Sequence, residues 1–172
     1  MAIVLKSILF LIAAPGTVLV LAPYLLLRSQ YQLLSLPLGA LRWLGLLPAF
    51  AGIAFLLWSF WAFTFIGKGT PAPIDPPKIF VAEGLYRLVR NPMYVGVLLT
   101  LMGEVLVFQS IILLVYSLLV FLAFHLFVVY YEEPRLREQF GDSYLRYLGN
   151  VPRWLPRVPR AAAPDRASDQ DR

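Results

Sequence analysis

The sequence predicts an all-α polytopic membrane protein with about four transmembrane helices in a single domain. Apolar residues make up 59% of the 172 residues, and the mean hydropathy is +0.70. The hydrophobic runs are also too long for strands, so a soluble domain is excluded. The domain is predicted to span residues 1–158, and the small, polar tail of residues 159–172 is predicted to be disordered.

The first two hydrophobic runs cover residues 3–27 and 43–66. At about 1.5 Å per residue, each run is long enough to cross a hydrocarbon core of roughly 30 Å. The first run is too long for a removable signal peptide, and Lys6 is its only basic residue. Pro15 and Pro23 predict that its helix is kinked or locally opened.

The next two runs predict a tight helical hairpin. Asn91 and Pro92 have the form of an N-cap followed by proline at the first helical position. The third helix is therefore predicted to run from Pro92 to about Phe108, which is only marginally long enough to cross. The fourth run covers residues 111–131 and follows after two residues. Because the turn is so short, the two helices are expected to be antiparallel.

A C-terminal cytosolic amphipathic helix is predicted after the fourth span. Pro134 is expected to interrupt the transmembrane helix. The residues after it are apolar on one face at helical spacing. That face consists of Leu136, Phe140, Tyr144 and Tyr147 or Leu148. Gly149 and Asn150 are predicted to end the helix.

The distribution of basic residues predicts the orientation in the membrane. With four spans, the N-terminus, the loop of residues 67–91 and the C-terminal tail share one side, which collects most of the lysines and arginines. The other side has Arg28 and Arg42. The positive-inside rule therefore predicts that both termini are cytoplasmic. Membrane topology accounts for the net charge of +5, so the predicted partner is the lipid bilayer and not nucleic acid.

Residue types that commonly carry chemistry are scarce. The chain has no cysteine and one histidine, which excludes thiolate metal sites and a cysteine nucleophile and leaves little for a histidine cluster. We therefore predict no metal site. The polar residues of interest are instead concentrated in two arginine-bearing segments at the ends of hydrophobic runs.

These two segments carry a family resemblance. The first reads E-G-L-Y-R-L-V-R-N-P-M-Y-V-G over residues 83–96, and the second reads Y-E-E-P-R-L-R-E-Q-F-G-D-S-Y-L-R-Y-L-G-N-V-P-R-W-L-P over residues 131–156. A proline-rich loop, residues 67–80, precedes them. In this order, between transmembrane helices, residues 67–156 resemble the isoprenylcysteine carboxyl methyltransferase and phospholipid methyltransferase superfamily of integral membrane enzymes, in its bacterial form.

The resemblance implies S-adenosylmethionine as methyl donor, S-adenosylhomocysteine as product, and a small lipophilic or lipid-linked acceptor that enters from the bilayer. It also implies a bacterial inner membrane location with the active site at the cytoplasmic face. The donor-binding residues implied by the matching positions come from both segments: Arg90, Asn91, Pro92, Tyr94, Gly96, Glu132, Glu133, Tyr144, Tyr147 and Arg153. The carboxyl methyltransferases usually have histidine in place of Asn91, and the asparagine form is closer to phospholipid N-methyltransferases.

Glu132, Glu133 and Tyr94 are the predicted catalytic residues. Methyl transfer is an in-line displacement in which positioning and desolvation supply most of the catalysis. For an acceptor that must lose a proton, Glu132 or Glu133 is predicted to take it. The nucleophilic head of the acceptor is expected to lie near Tyr94 and Glu132.

Two ionisable residues fall within predicted spans and are candidate acceptor-site residues. His125 lies seven residues before Glu132 and therefore on nearly the same helical face. The alternative is that His125 is a packed, hydrogen-bonding side chain. Glu104 must face protein or water because an ionisable side chain is costly in lipid. Its predicted partner is either His125 or Gln109.

Two other functions remain open on the sequence. Membrane sterol reductases resemble this fold and share an arginine-x-proline-x-tyrosine type of segment, which favours an NADPH-dependent reductase. A non-catalytic membrane scaffold that kept the pocket is the second alternative. The paired glutamates and the V-P-R-W segment favour the methyltransferase.

Overall fold

The structure is a computed structural model that describes residues 2–29, 35–68 and 81–157. The described part is helical, apart from short connections. Its α-helices are α1 (Ala2–Gly16), α2 (Ala22–Arg28), α3 (Leu46–Trp61), α4 (Pro92–Phe108), α5 (Ile111–Phe127) and α6 (Glu133–Asn150). The predicted disordered tail and residues 69–80 of the proline-rich loop lie outside the described residues.

Short π-helical and 3₁₀-helical segments extend these helices or connect them. The π segments are Thr17–Leu21, Ala62–Ile66 and Val128–Glu132, and the 3₁₀ segments are Gly39–Gly45 and Gly84–Arg87. Three continuous helices result, Val4–Arg28, Gly39–Ile66 and Ile111–Asn150, and each is long and apolar enough to cross a membrane. The shorter apolar helix α4 completes the predicted set. The prediction of an all-α polytopic membrane protein is confirmed.

Glycines bring α3 and α4 into close contact. A Cβ atom added to Gly52 would lie 2.4 Å from the carbonyl oxygen of Gly96, and one added to Gly103 would lie 2.6 Å from that of Gly45. These distances are too short for any side chain, so the two helices pack backbone against backbone as in other membrane helix pairs. Gly45 and Gly52 are therefore close-packing positions, and this contact fixes the position of α4.

Pro23 opens the first helix locally without ending it. In a π segment each carbonyl pairs with the amide five residues later, and the amide of Ala22 donates to the Thr17 carbonyl in this way. The Val18 carbonyl lacks such a donor because proline has no N–H. The hydroxyl of Tyr116 on α5 donates to Val18 instead, at 3.0 Å. The local opening predicted here is therefore a π segment. The Val18 carbonyl, which has no partner within the helix, links the first helix to α5 through its hydrogen bond with Tyr116.

The two-residue turn between α4 and α5 is as short as predicted. Gln109 ends α4 in the left-handed conformation (φ 52°, ψ 38°), and the hydroxyl of Ser110 accepts a hydrogen bond from the Leu113 amide at the start of α5. The amide of Leu36 donates to the Gln109 carbonyl, and that of Leu38 donates to its side-chain Oε1 at 2.9 Å. The loop before α3 therefore holds the closed end of the hairpin.

The interruption predicted at Pro134 is wrong. The backbone stays helical from α5 through the π segment into α6, where Pro134 occupies the first turn. Proline is tolerated there because its missing amide falls where the hydrogen-bonding pattern already changes from π to α. The helix instead bends at Gly141, whose φ of 52° and ψ of −130° are not helical. It ends at Asn150, as predicted, and Val151 is extended.

Candidate functional site

The two polar segments meet in a cleft at the first turn of α4. The cleft has about 290 Å³ of empty space, its opening included. Its lining comes from the π segment after α3, the residues around the start of α4 and the π segment after α5: Phe63, Tyr86, Arg90, Asn91, Met93, Tyr94 and Glu132. Four predicted site residues share this lining, so the structure brings the predicted segments together.

Tyr94 and Glu132 form the pair at the centre of the cleft. The phenolic oxygen of Tyr94 donates to Glu132 Oε2 at 2.9 Å. The ring of Tyr94 packs on that of Phe124 from α5, with ring centroids 4.7 Å apart. The aromatic contact fixes the tyrosine, and the tyrosine in turn fixes one oxygen of the carboxylate. Glu132 is thus a held carboxylate that borders open space.

The neighbouring Glu133 has a different environment. Its carboxylate accepts from Arg90 Nη1 at 2.9 Å and from Arg153 Nε and Nη2 at 2.7 and 3.0 Å. Arg137 Nη2 lies 3.9 Å from Oε2, and the side chain is only 6% exposed. The carboxylate raises the pKa of Arg153. Two guanidinium groups occupy both oxygens, so this arrangement suits an ion-pair clamp better than a proton acceptor.

The helical backbone separates the roles of the two glutamates. Successive residues of a helix point about 100° apart. Glu132 therefore points to α4, and Glu133 points to Arg90 and Arg153. Glu132 is the last residue of the π segment Val128–Glu132, and π segments of this kind are frequent at functional sites.

Arg90 and Asn91 are held from behind by the chain after α6. The Arg90 amide donates to the Pro152 carbonyl at 2.8 Å, and Asn91 Nδ2 donates to the Arg153 carbonyl at 3.2 Å. Asn91 does precede α4, as predicted, but its side chain makes no capping hydrogen bond. The Nε–H of Arg90 is buried and has no hydrogen-bond partner among the described residues.

Four predicted site residues support the cleft and do not line it. Tyr147 donates to the carbonyl of Tyr86 at 2.6 Å, and Tyr144 is buried with its ring centroid 6.1 Å from that of Tyr147. Pro92 is buried at the start of α4, and Gly96 lies in the contact with α3. The backbone of α3 lies so close to Gly96 that a larger residue would not fit there. The need for glycine at this position is therefore explained by helix packing and does not require a bound ligand.

The two intramembrane candidates lie outside the cleft lining. His125 Nδ1 accepts from Trp154 Nε1 at 3.2 Å. The Oε2 atom of Glu104 is buried and has no hydrogen-bond partner among the described residues, whereas Gln109 binds the Leu38 amide. His125 therefore has the packed, hydrogen-bonded environment of the alternative interpretation. The pairing of Glu104 and the acceptor-site roles of both residues stay predictions.

Phe63, Tyr86 and Met93 were missed by sequence reasoning. Phe63 comes from the second span, which carries no recognisable motif, and packs edge-on against Tyr86 with ring centroids 5.5 Å apart. Burial raises the pKa of the Tyr86 phenol well above its usual value. Tyr86 and Met93 stand within the first polar segment, next to predicted residues, and this proximity was the available signal.

Comparison with known proteins gives concordant similarities. The model of a family described as phospholipid methyltransferase matches residues 40–143. The chain is 34% identical over 82 residues to a protein-S-isoprenylcysteine O-methyltransferase of Schizosaccharomyces pombe, covering 47% of this chain and 34% of that protein. It is 33% identical over 79 residues to protein-S-isoprenylcysteine O-methyltransferase B of Arabidopsis thaliana, covering 45% and 40%. The matched region thus spans less than half the length of either relative.

Proposed function

This chain belongs to the phospholipid methyltransferase family, and on that premise we propose that its cleft binds S-adenosylmethionine for methyl transfer to a lipophilic or lipid-linked acceptor. The observation that most supports the proposal is the Tyr94–Glu132 pair, a carboxylate held by a 2.9 Å hydrogen bond at the wall of an aromatic cleft. Both residues come from the segments that carry the family resemblance.

The residues of the cleft fit the chemistry of this donor. S-adenosylmethionine supplies a methyl group activated by a positively charged sulfur. The ligand also has an amino-acid carboxylate, which suits the guanidinium of Arg90 in the cleft wall. Glu132 offers negative charge to the cationic parts. The faces of Phe63 and Tyr86 suit an adenine ring or a cation.

We assign Glu132 as the proton acceptor and Glu133 as a structural residue. A neutral amine with an N–H would lose that proton to Glu132 as its nitrogen bonds to the methyl carbon and the S–C bond of the donor breaks, which would release S-adenosylhomocysteine. An acceptor that arrives as a carboxylate needs no base. The hydroxyl of Tyr94 keeps the Glu132 carboxylate oriented. Glu133 holds Arg90 through the 2.9 Å ion pair, which positions the arginine at the edge of the cleft.

The surroundings of the cleft support a lipophilic acceptor. The helices beside it are apolar along their length, and large hydrophobic side chains of α5, such as Leu118, Leu122 and Leu126, are exposed on the outer surface. Within a bilayer these side chains face lipid. An acceptor dissolved in the membrane can reach the cleft laterally along α5, whereas a soluble one needs a polar path.

Transfer of an isotope-labelled methyl group tests the proposal. The purified protein in mixed micelles is given labelled S-adenosylmethionine and a panel of amphiphilic amines, thiols and carboxylates. We expect label in at least one amphiphilic product, with loss of most of that transfer in Glu132→Gln. The matched control is Tyr130→Phe, at a side chain that is 76% exposed on the same helix. Failure to label any acceptor class, with folded protein, contradicts the proposed function.

A further inference from the structure

The chain after α6 ties together elements that lie on different sides of the cleft. We call residues 151–157 the C-terminal segment. Its backbone pairs with the residues before α4: Arg90 N donates to Pro152 O at 2.8 Å, and Arg157 N donates to Leu88 O at 3.0 Å. The Arg153 carbonyl accepts from Asn91. The guanidinium of Arg153 binds Glu133. The segment therefore backs two residues that line the cleft.

One contact anchors this segment to the membrane helix α5. The indole Nε1 of Trp154 lies 3.2 Å from His125 Nδ1. The ring of Trp154 also packs edge-on against Phe121, one turn earlier, with centroids 5.4 Å apart. An indole nitrogen is only a donor. His125 Nδ1 is therefore the acceptor of this hydrogen bond. The anchor depends on an acceptor at this one ring position.

We propose that His125 is a positioning residue for the donor site and acts through Trp154. By holding Trp154, it fixes the C-terminal segment. The segment in turn keeps Arg153 on Glu133 and its own carbonyls on Arg90 and Asn91. The inference rests on the proposed function for the identity of the ligand, but the coupling from His125 to the segment is a property of the unliganded protein.

Removing the acceptor has a defined structural consequence. Without Nδ1, the N–H of Trp154 loses its partner next to Phe121 and α5. The segment can then move away from α5, which loosens Arg153. The hydrogen bonds that hold Arg90 and Asn91 at the cleft, to the carbonyls of Pro152 and Arg153, weaken as well. Donor binding therefore weakens even though His125 does not line the cleft.

Two substitutions separate hydrogen bonding from packing. His125→Phe keeps an aromatic ring and removes the acceptor. His125→Asn removes the ring but keeps an acceptor, Oδ1, at the same distance along the side chain. We expect the dissociation constant of S-adenosylhomocysteine to rise about 3- to 10-fold in His125→Phe, as for loss of one neutral hydrogen bond. In His125→Asn we expect a change within about 2-fold. A packing role predicts the opposite order.

A double-mutant cycle checks that the effect passes through Trp154. Trp154→Phe should weaken S-adenosylhomocysteine binding about as much as His125→Phe, and the double variant should be no worse than either one. Trp43→Phe, at an exposed tryptophan, is the control for loss of an indole. Additive effects of the two substitutions overturn the proposed route.

Two further measurements do not depend on the ligand. The indole N–H resonance of Trp154, assigned by its loss in Trp154→Phe, should move upfield in His125→Phe and stay in place in His125→Asn. Amide hydrogen exchange at Arg90 and Arg157 should accelerate only in His125→Phe. An unmoved indole resonance, or unchanged exchange, overturns the role of His125. If the unaltered protein does not bind S-adenosylhomocysteine, the proposed function fails, and the indole and exchange comparisons still decide the coupling.

Discussion

Glu132 and Glu133 are adjacent in sequence and have opposite environments. Glu132 lines the cleft and accepts from one phenol, at 2.9 Å. Only 6% of the Glu133 side chain is exposed, and it binds the guanidiniums of Arg90 and Arg153. One residue therefore offers a carboxylate to a ligand, and the other holds the surrounding cations. This contrast leads to opposite expectations for their substitution.

Glu132→Gln should impair ligand binding with little effect on stability. The amide keeps the size of the side chain and can still accept from Tyr94, but it removes the negative charge. We expect S-adenosylhomocysteine affinity to fall about tenfold or more, since a hydrogen bond to a charged group contributes roughly 1.5–3 kcal/mol. Calorimetric titration measures the affinity, and thermal unfolding in detergent should be nearly unchanged. Unchanged affinity contradicts the assignment of Glu132.

Glu133→Gln should mainly destabilise the protein. Removing the charge leaves the guanidinium of Arg90, whose side chain is 15% exposed, and the more exposed guanidinium of Arg153 without their anion. Breaking a buried ion pair costs about 3–5 kcal/mol, and the partial exposure of Arg153, 28%, places the effect at the lower end. The measurement is the midpoint of thermal unfolding in detergent. A variant as stable as the unaltered protein would show that Glu133 is not a clamp.

Tyr94→Phe isolates the hydroxyl that orients Glu132. The substitution preserves the packing on Phe124, whose ring centroid is 4.7 Å away. One neutral hydrogen bond contributes a net free energy of about 0.5–1.5 kcal/mol. Its loss is therefore expected to raise the dissociation constant of S-adenosylhomocysteine about 2- to 13-fold. Tyr130→Phe, at an exposed position, controls for loss of a phenol. Equal affinities of the two variants would contradict the role of the Tyr94 hydroxyl.

Gly52→Ala should disrupt the α3–α4 contact. The new methyl group would lie 2.4 Å from the Gly96 carbonyl oxygen and from the Thr100 hydroxyl, and overpacking of this kind typically costs about 1–3 kcal/mol. Gly149→Ala is the matched control, because nothing lies within 4 Å of a Cβ atom there. Thermal unfolding in detergent should separate the two variants. Equal stability would mean that the close approach is not required.

Reporter fusions test the orientation that places the cleft on the cytoplasmic side. The positive-inside rule predicts that a fusion after Gln30 reports the outside and that one after Gln170 reports the cytoplasm. The same side for both fusions would contradict a four-span topology.

Much of the architecture was predictable from the sequence, because length, hydrophobicity and caps determine it locally. The start of α4 at Pro92 and the two-residue turn before α5 are examples. An interruption of the helix was predicted at Pro134, but a π segment accommodates the proline and the non-helical residue is Gly141. Sequence patterns carry no signal for that change in hydrogen bonding.

The composition of the site was predictable only in part. The two segments were recognisable, and four of the predicted site residues do line one cleft. The division of roles between the glutamates depends on which way each side chain points, and adjacent letters do not encode this. The presence of Phe63 in the lining depends on how α3 packs against α4. The pairing of His125 with Trp154 joins residues 29 positions apart, which no local pattern reveals.

The central claim is that the Tyr94–Glu132 cleft is a binding site for the methyl donor. Its most direct test is a calorimetric titration of the detergent-solubilised protein with S-adenosylhomocysteine, with NADPH titrated in parallel. We expect saturable binding of S-adenosylhomocysteine that weakens about tenfold or more in Glu132→Gln, and no binding of NADPH. Saturable binding of NADPH without binding of S-adenosylhomocysteine would contradict it and favour a reductase.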